Sequence, residues 1–188
     1  MLKKVVFLDR DGTINRDSPQ YIKSWEEFEF VTGSIEAIRN LTQNGFTSIV
    51  ITNQSALPRR LISFQELNHI HSMMKYAVEF HGGKITDIFF CPHMPGDMCS
   101  CRKPQPGLIV QAQAKYNIDL ADAVMIGDSE KDIECAHNAG CGQAILVKTA
   151  ENHGVEELLR AKHISPDYVA RSLFEAAGWL IANKTELE

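Results

Sequence analysis

Asp9 and Asp11 flank a single arginine in the segment Val5-Val6-Phe7-Leu8-Asp9-Arg10-Asp11-Gly12-Thr13. Two carboxylates this close raise each other's pKa unless a cation shares them, and their oxygen ligands suit a hard divalent ion such as Mg²⁺. Taken alone, the segment also reads as a plain Asp-Gly turn. A second cluster is of softer type. Cys91, His93, Cys99 and Cys101 offer three thiolates and one imidazole within eleven residues. They make a closed tetrahedral set for Zn²⁺, with no vacant position for substrate or water. The zinc is therefore expected to be structural, in a loop whose Pro92, Pro95 and Gly96 leave little apolar mass for a core. The absence of Cys-x-x-Cys spacing argues against a redox pair. Cys135 and Cys141 are expected as small buried residues. His69 and His71, two apart and on different faces of a helix, suggest no further site.

Other polar groups fall where apolar runs end. Ser48–Thr52 leads into Thr52-Asn53-Gln54-Ser55, whose hydroxyl, amide and backbone N–H donors can hold phosphate oxygens. Val124-Met125-Ile126 leads into Gly127-Asp128; Asp128 can complete a carboxylate cluster, or equally serve as the N-cap of the next helix, with Asp132 as a favourable first-turn charge. Lys103, in Arg102-Lys103-Pro104, can point an ammonium over a phosphate or lie in solvent.

The elements that must position these groups alternate. Strands are expected at Lys4–Leu8, Ser48–Thr52, Asp87–Cys91, Ala123–Ile126 and Ala144–Val147, with a weaker one at Tyr168–Ala170. Helices are expected at Ser34–Asn44, Phe64–Phe80, Leu108–Tyr116 and Glu130–Asn138. Alternation of this kind predicts a parallel sheet with helices on both faces and ligands beyond the carboxyl ends of its strands. Ile14–Val31 and Pro92–Pro106 interrupt the alternation and are expected near the site rather than in the core, with Tyr21 available to cover a ligand and Trp25 and Phe28 as packing residues. Lys184–Glu188 reads as a frayed tail.

With 188 residues, 44% of them hydrophobic and 23% charged, the chain suits one globular domain, 1–188, with a flap at 14–31 and a zinc loop at 91–106. A formal net charge of −5 argues against a nucleic acid partner, and no run is apolar enough for a membrane span. The first strand starts within three residues of Met1, which leaves no space for a signal sequence, so a cytoplasmic monomer is expected.

In the order Asp-x-Asp, Thr, Lys, Gly-Asp, the chain from Val5 to about Val147 resembles the haloacid dehalogenase superfamily of phosphohydrolases. Val5–Thr13 is similar to its first motif, Ile49–Asn53 to its second, Lys103 to its third and Ile126–Asp132 to its fourth. The resemblance implies a three-layer Rossmann-like α/β fold. It also implies that Asp9 is a nucleophile forming an aspartyl-phosphate and Asp11 a general acid and base. Mg²⁺ would be held by Asp9, the backbone carbonyl of Asp11 and Asp128, while Thr52, Asn53 and Lys103 would hold the remaining phosphoryl oxygens.

Cys91–Lys103 resembles the zinc loop of the small branch that lacks a large cap domain, which includes heptose bisphosphate phosphatases and histidinol-phosphate phosphatases. By that analogy Arg102 contacts the substrate outside the scissile phosphate. Thr52–Ser55, with Gln54 and Ser55 as substrate contacts, and Lys103–Gly107 look closer to the heptose enzymes. The implied substrate is a small phosphorylated sugar. Asp17–Tyr21, Ala56–Arg60 and Ser129 depart from the branch's pattern, at positions expected to meet the far end of the sugar. A reading from another class, a zinc-stabilised module that binds phosphorylated ligands without hydrolysing them, has no need of both Asp9 and Asp11.

Overall fold

The protein is described by a computed structural model covering residue 2, residues 4–149 and residues 153–183; the expected tail at 184–188 lies outside the described residues. Strands β1 (Val5–Leu8), β2 (Thr47–Asn53), β3 (Ile85–Cys91), β4 (Val124–Gly127), β5 (Gln143–Val147) and β6 (Tyr168–Ala170) form one sheet, in the order β3-β2-β1-β4-β5-β6. Every pairing in it is parallel. Both neighbours of β1 are in register with its end, Leu8 lying opposite Val50 of β2 and Ile126 of β4. The strand order reverses between β1 and β4, and in sheets of this topology that reversal opens the ligand crevice at the carboxyl edge.

A parallel sheet buried on both sides needs apolar residues on both faces of each strand. Val6, Leu8, Val50, Ile126 and Ile145 point to one side, where they meet α1 (Ser34–Gln43), α2 (Phe64–Phe80) and α6 (Leu173–Ala182). Val5, Phe7, Ile49, Ile51 and Met125 point to the other and meet α3 (Gly107–Tyr116), α4 (Glu130–Ala139) and α5 (Val155–Ala161). The result is the three-layer α/β fold expected. Helix starts carry local signals. Ser63 caps α2 by accepting from the Glu66 N–H, and Ser129 with Asp132 forms a capping box on α4. Gly140, in the left-handed region at φ 76°, ends α4.

The differences from expectation have local causes. Helices α5 and α6 were not anticipated: α5 has only seven residues, and the apolar run Leu-Phe-Glu-Ala-Ala-Gly-Trp-Leu-Ile-Ala of α6 has little periodicity to read. β3 starts at Ile85, two residues early. The 14–31 segment is more than a flap over the site, because Ile14, Ile22 and Phe28 are buried in the core beside α1, and Trp25 stacks on Phe28 with ring centroids 5.0 Å apart. Cys91 and Cys101 of the cysteine loop are likewise part of the core on the α3 side.

Candidate active site

The carboxyl ends of β1, β2 and β4 carry Asp9, Thr52-Asn53 and Asp128 to one edge. The Asp9 N–H donates to the carbonyl of Ile126 at 2.9 Å, which joins the end of β1 to β4. Its Oδ1 accepts from the Arg10 N–H at 2.7 Å and stands 2.8 Å from Lys103 Nζ. Lys103 arrives from the loop between β3 and α3 and is clamped by the last residue of β2. Its N–H donates to Asn53 Oδ1 at 3.0 Å, and Asn53 Nδ2 donates to its carbonyl at 3.2 Å. The ammonium meets Asp9, the Ile51 carbonyl at 2.9 Å and Asp132 at 2.5 Å. Three N–H donors thus face three acceptors. Burial works against the charge, but Asp132 and Asp9 outweigh it and raise the Lys103 pKa.

Asp132, expected as a helix-start charge, has a second duty that its position in the sequence does not signal. Its Oδ2 accepts from the N–H and the hydroxyl of Ser129 at 3.0 and 2.6 Å, while Oδ1 meets Lys103. One fully buried side chain therefore caps α4 and aims the lysine. No spacing rule separates those two uses of an Asp in a first turn. Asp128, by contrast, is free of the capping role proposed as its alternative, since Ser129 is the N-cap.

Asp9, Asp128 and Asp132 place ligand oxygens within 4.8 Å of one another. Burial, then the neighbouring Asp132, pushes Asp9 up to about 7 against the pull of Lys103. Burial, Asp132 and Asp9 push Asp128 up to about 9. One lysine does not neutralise three buried carboxylates, so the donor set fits a hard divalent cation. Gly12 (φ 83°) faces this cluster: a Cβ there would sit 2.3 Å from Asp128 Oδ2. Any side chain at position 12 would displace the carboxylate.

The Asp11 side chain lies outside the trio. Oδ1 accepts from Arg10 Nε, Arg10 Nη2 and Asn15 Nδ2 at 3.1, 2.8 and 2.9 Å; Oδ2 accepts from Arg10 Nη2 and Gln54 Nε2, both at 2.9 Å. Burial alone would raise its pKa, yet the Arg10 guanidinium and the two amides hold it below the ordinary value. Gln54 Nε2 also lies 2.9 Å from Thr52 Oγ1, so the strand-end residues of β2 are linked to Asp11.

A cleft of about 350 Å³ opens over these groups. Asp9, Asp11, Thr52, Asn53, Gln54, Arg102, Lys103 and Asp128 all line it, so the sequence-separated candidates meet in one place. Ser55 does not line it. Asp17, Ser18, Pro19 and Tyr21 of the 14–31 segment form part of the wall, as do Ser129 and Lys131. The segment Ala56–Arg60, expected at the far end of a sugar, lies elsewhere: Ala56 and Leu57 are buried against Ile62 and Leu67. The segment meets the wall from behind, since this cluster packs against Tyr21 and the Arg59 guanidinium lies 5.7 Å from the centre of the Tyr21 ring.

In the cysteine loop, Cys91 Sγ lies 3.2 Å from Cys101 Sγ and 3.7 Å from Cys99 Sγ, and Cys99 and Cys101 are 3.6 Å apart. His93 Nδ1 lies 3.4 Å from Cys91 and 3.2 Å from Cys101. Thiolates bound at about 2.3 Å to one tetrahedral zinc stand roughly 3.7 Å apart, so the four residues fit a Zn²⁺ ion with only slight expansion. The loop is coupled to the cleft, because Arg102 Nη1 donates to the carbonyl of His93 at 3.2 Å.

Known proteins resemble this chain closely. A family model described as HAD-hydrolase-like matches residues 100–176. A Bordetella bronchiseptica protein, D-glycero-beta-D-manno-heptose-1,7-bisphosphate 7-phosphatase, is 44% identical over 138 residues, covering 73% of this chain and 77% of that one. A Photorhabdus laumondii protein, named for the alpha form of the same bisphosphate, is 37% identical over 153 residues, covering 78% and 83%. The crystal structure of D,D-heptose 1,7-bisphosphate phosphatase from B. bronchiseptica, complexed with magnesium and phosphate, superposes with a TM-score of 0.88 at 38% identity, covering 95% of this chain and 98% of that one.

Proposed function

The chain belongs to the haloacid dehalogenase-like hydrolases, as a phosphatase, and from that membership we propose that it removes the 7-phosphate of D-glycero-D-manno-heptose 1,7-bisphosphate. The observation that carries the reading is the meeting of Asp9 and Asp128 with Lys103 at the β1/β4 reversal, in a cleft whose wall also holds Arg102 and Lys131. A substrate with two phosphates needs two cationic ends. Lys103 serves the scissile end through Asp9, and Arg102 with Lys131 supplies positive charge beyond it.

Asp9 attacks phosphorus as the sugar oxygen leaves, forming an aspartyl-phosphate. Asp11 gives a proton to the departing oxygen and later takes one from the water that attacks the phosphoenzyme. Thr52 and Asn53 stand at the strand end where the phosphoryl oxygens come to lie. Asp9, Asp128 and the backbone carbonyl of Asp11 would hold Mg²⁺, which supplies charge neutralisation for the phosphoryl group when bound. Cys91, His93, Cys99 and Cys101 would hold a structural Zn²⁺, which would fix the loop, and the His93 carbonyl accepts from Arg102 Nη1 and so aims that side chain. Gln54 lines the cleft and bonds to Asp11 and Thr52, so it ties the acid and base to the end of β2. No helix among the described residues is long and apolar enough to cross a membrane, and we take the enzyme to act in the cytoplasm as a monomer, each chain holding a complete cleft.

The test is phosphate release from both anomers of the heptose 1,7-bisphosphate, histidinol phosphate, other sugar monophosphates and a nucleotide. A clear preference in kcat/KM for one heptose anomer is expected. Preference for histidinol phosphate would overturn the substrate, and turnover by Asp9→Asn close to that of the unaltered protein would overturn the covalent route.

A further inference from the structure

Arg10 is among the most deeply buried large side chains of the protein, only 1% exposed, although it sits between two residues of the site. A guanidinium out of water must find acceptors for its donors, since a buried donor left unpaired has lost its water without compensation. One edge, Nε and Nη2, meets both oxygens of Asp11. Nη1 lies 3.2 Å from Nε2 of His71, sixty-one residues along the chain on α2. Arginine can only donate, so His71 Nε2 is the acceptor and the imidazole is the neutral form with its proton on Nδ1. The surroundings agree: burial, then the Arg10 charge, depresses the His71 pKa to about 3. Phe90 walls the ring, with centroids 5.7 Å apart.

Because the guanidinium is planar and rigid, pinning Nη1 fixes where Nε and Nη2 point. We propose that His71 is a positioning residue which, through Arg10, holds Asp11 in the orientation that takes a proton from the water attacking the phosphoenzyme. The inference rests on the reading of Asp11 as the acid and base. In the observed arrangement both Asp11 oxygens accept hydrogen bonds, which suits the base of the second half-reaction more than the acid of the first. In that step the water oxygen bonds to phosphorus, the bond from phosphorus to the Asp9 oxygen breaks, the water proton passes to Asp11 and inorganic phosphate leaves. An apolar side chain at position 71 would leave Nη1 without its acceptor, letting the guanidinium rotate and carry Asp11 with it.

The experiment compares His71→Met and His71→Phe, which cannot accept this bond, with His71→Gln, whose amide oxygen can. The substrate is p-nitrophenyl phosphate, whose leaving group departs without a proton donor. Acid quench and mass spectrometry report the phosphorylated fraction of the chain at steady state. For Met or Phe, whichever gives folded protein, kcat is expected to fall about tenfold or more while the phosphorylated fraction rises, a loss in keeping with a misplaced catalytic group. Gln is expected to restore both values to near those of the unaltered enzyme. Unchanged kcat, a fall without phosphoenzyme accumulation, or a Gln variant no better than the apolar ones would overturn the proposal. Asp11→Asn, run alongside, separates the two failures: full activity there sinks the reading of Asp11, whereas a slow Asn variant beside a normal Met variant sinks only the role of His71.

Discussion

Nζ of Lys103 stands 2.8 Å from Oδ1 of Asp9, and the same ammonium binds Asp132 and a β2 carbonyl, so the cation that meets the nucleophile is itself held in place by two further acceptors. Lys103→Met is therefore expected to do two kinds of harm. Removing one partner of a buried ion cluster costs about 3–5 kcal/mol, to be read by chemical denaturation. Turnover should fall about a thousandfold, because Asp9 is both misdirected and more readily protonated. Lys103→Arg should not rescue it, since a planar fork does not present three donors from one nitrogen.

Gly12 tests the cation site without substituting a ligand. Gly12→Ala puts a methyl group 2.3 Å from the present position of Asp128 Oδ2, so the carboxylate must move. The expected outcome is about a 10–100-fold rise in the Mg²⁺ concentration needed for half-maximal activity. A titration curve that superposes on that of the unaltered protein would contradict the placement of Asp128.

Loss of zinc should be felt at the substrate's second phosphate. Cys101→Ser is expected to leave less than one zinc per chain by elemental analysis and, because Arg102 is tied to the zinc loop, to raise KM for the bisphosphate more than it lowers kcat. Adding Mg²⁺ should not reverse this effect. Chelation of Mg²⁺ alone should abolish turnover and leave the bound zinc in place.

His71 predicts a pH dependence of stability. Its pKa in the folded protein, about 3, lies below the unfolded value near 6.5. Unfolding then takes up a proton as pH falls, so the contribution is fully present above about pH 6.5 and is lost below it, by about 1.4 kcal/mol per pH unit towards pH 3. Denaturation midpoints at pH 7.5 and pH 5 should differ less for His71→Gln than for the unaltered protein. Equal differences would mean that this imidazole is not buried neutral.

What could be read from sequence was whatever repeats with the chain itself. Short β-branched runs ending at Asp9, Thr52 and Asp128 announced parallel strands, because a doubly covered strand must be apolar on both faces. The cysteine spacing announced a metal loop, because four soft ligands within eleven residues have few other uses. Helix α6 escaped because its uniform apolarity hides its period, and the burial of Ile14, Ile22 and Phe28 escaped because irregular backbone carries no period at all.

Other assignments depended on packing between distant segments. Asn53, expected to face phosphoryl oxygens, lines the cleft and also clamps the Lys103 backbone fifty residues away, a contact that spacing does not reveal. Asp132 was read as a helix-start charge, yet it also binds Lys103 from inside the core. His71, two residues from His69 and on another face of α2, suggests no site from spacing, while its partner is Arg10, brought to it only when α2 packs on the sheet. Local sequence determines which strand ends bear acids and which loop gathers thiols, since those follow from backbone periodicity and ligand spacing. Which donor faces which acceptor across the β1, β2 and β4 ends is decided by tertiary structure, because a buried polar group takes whichever partner the folded chain brings within hydrogen-bonding distance.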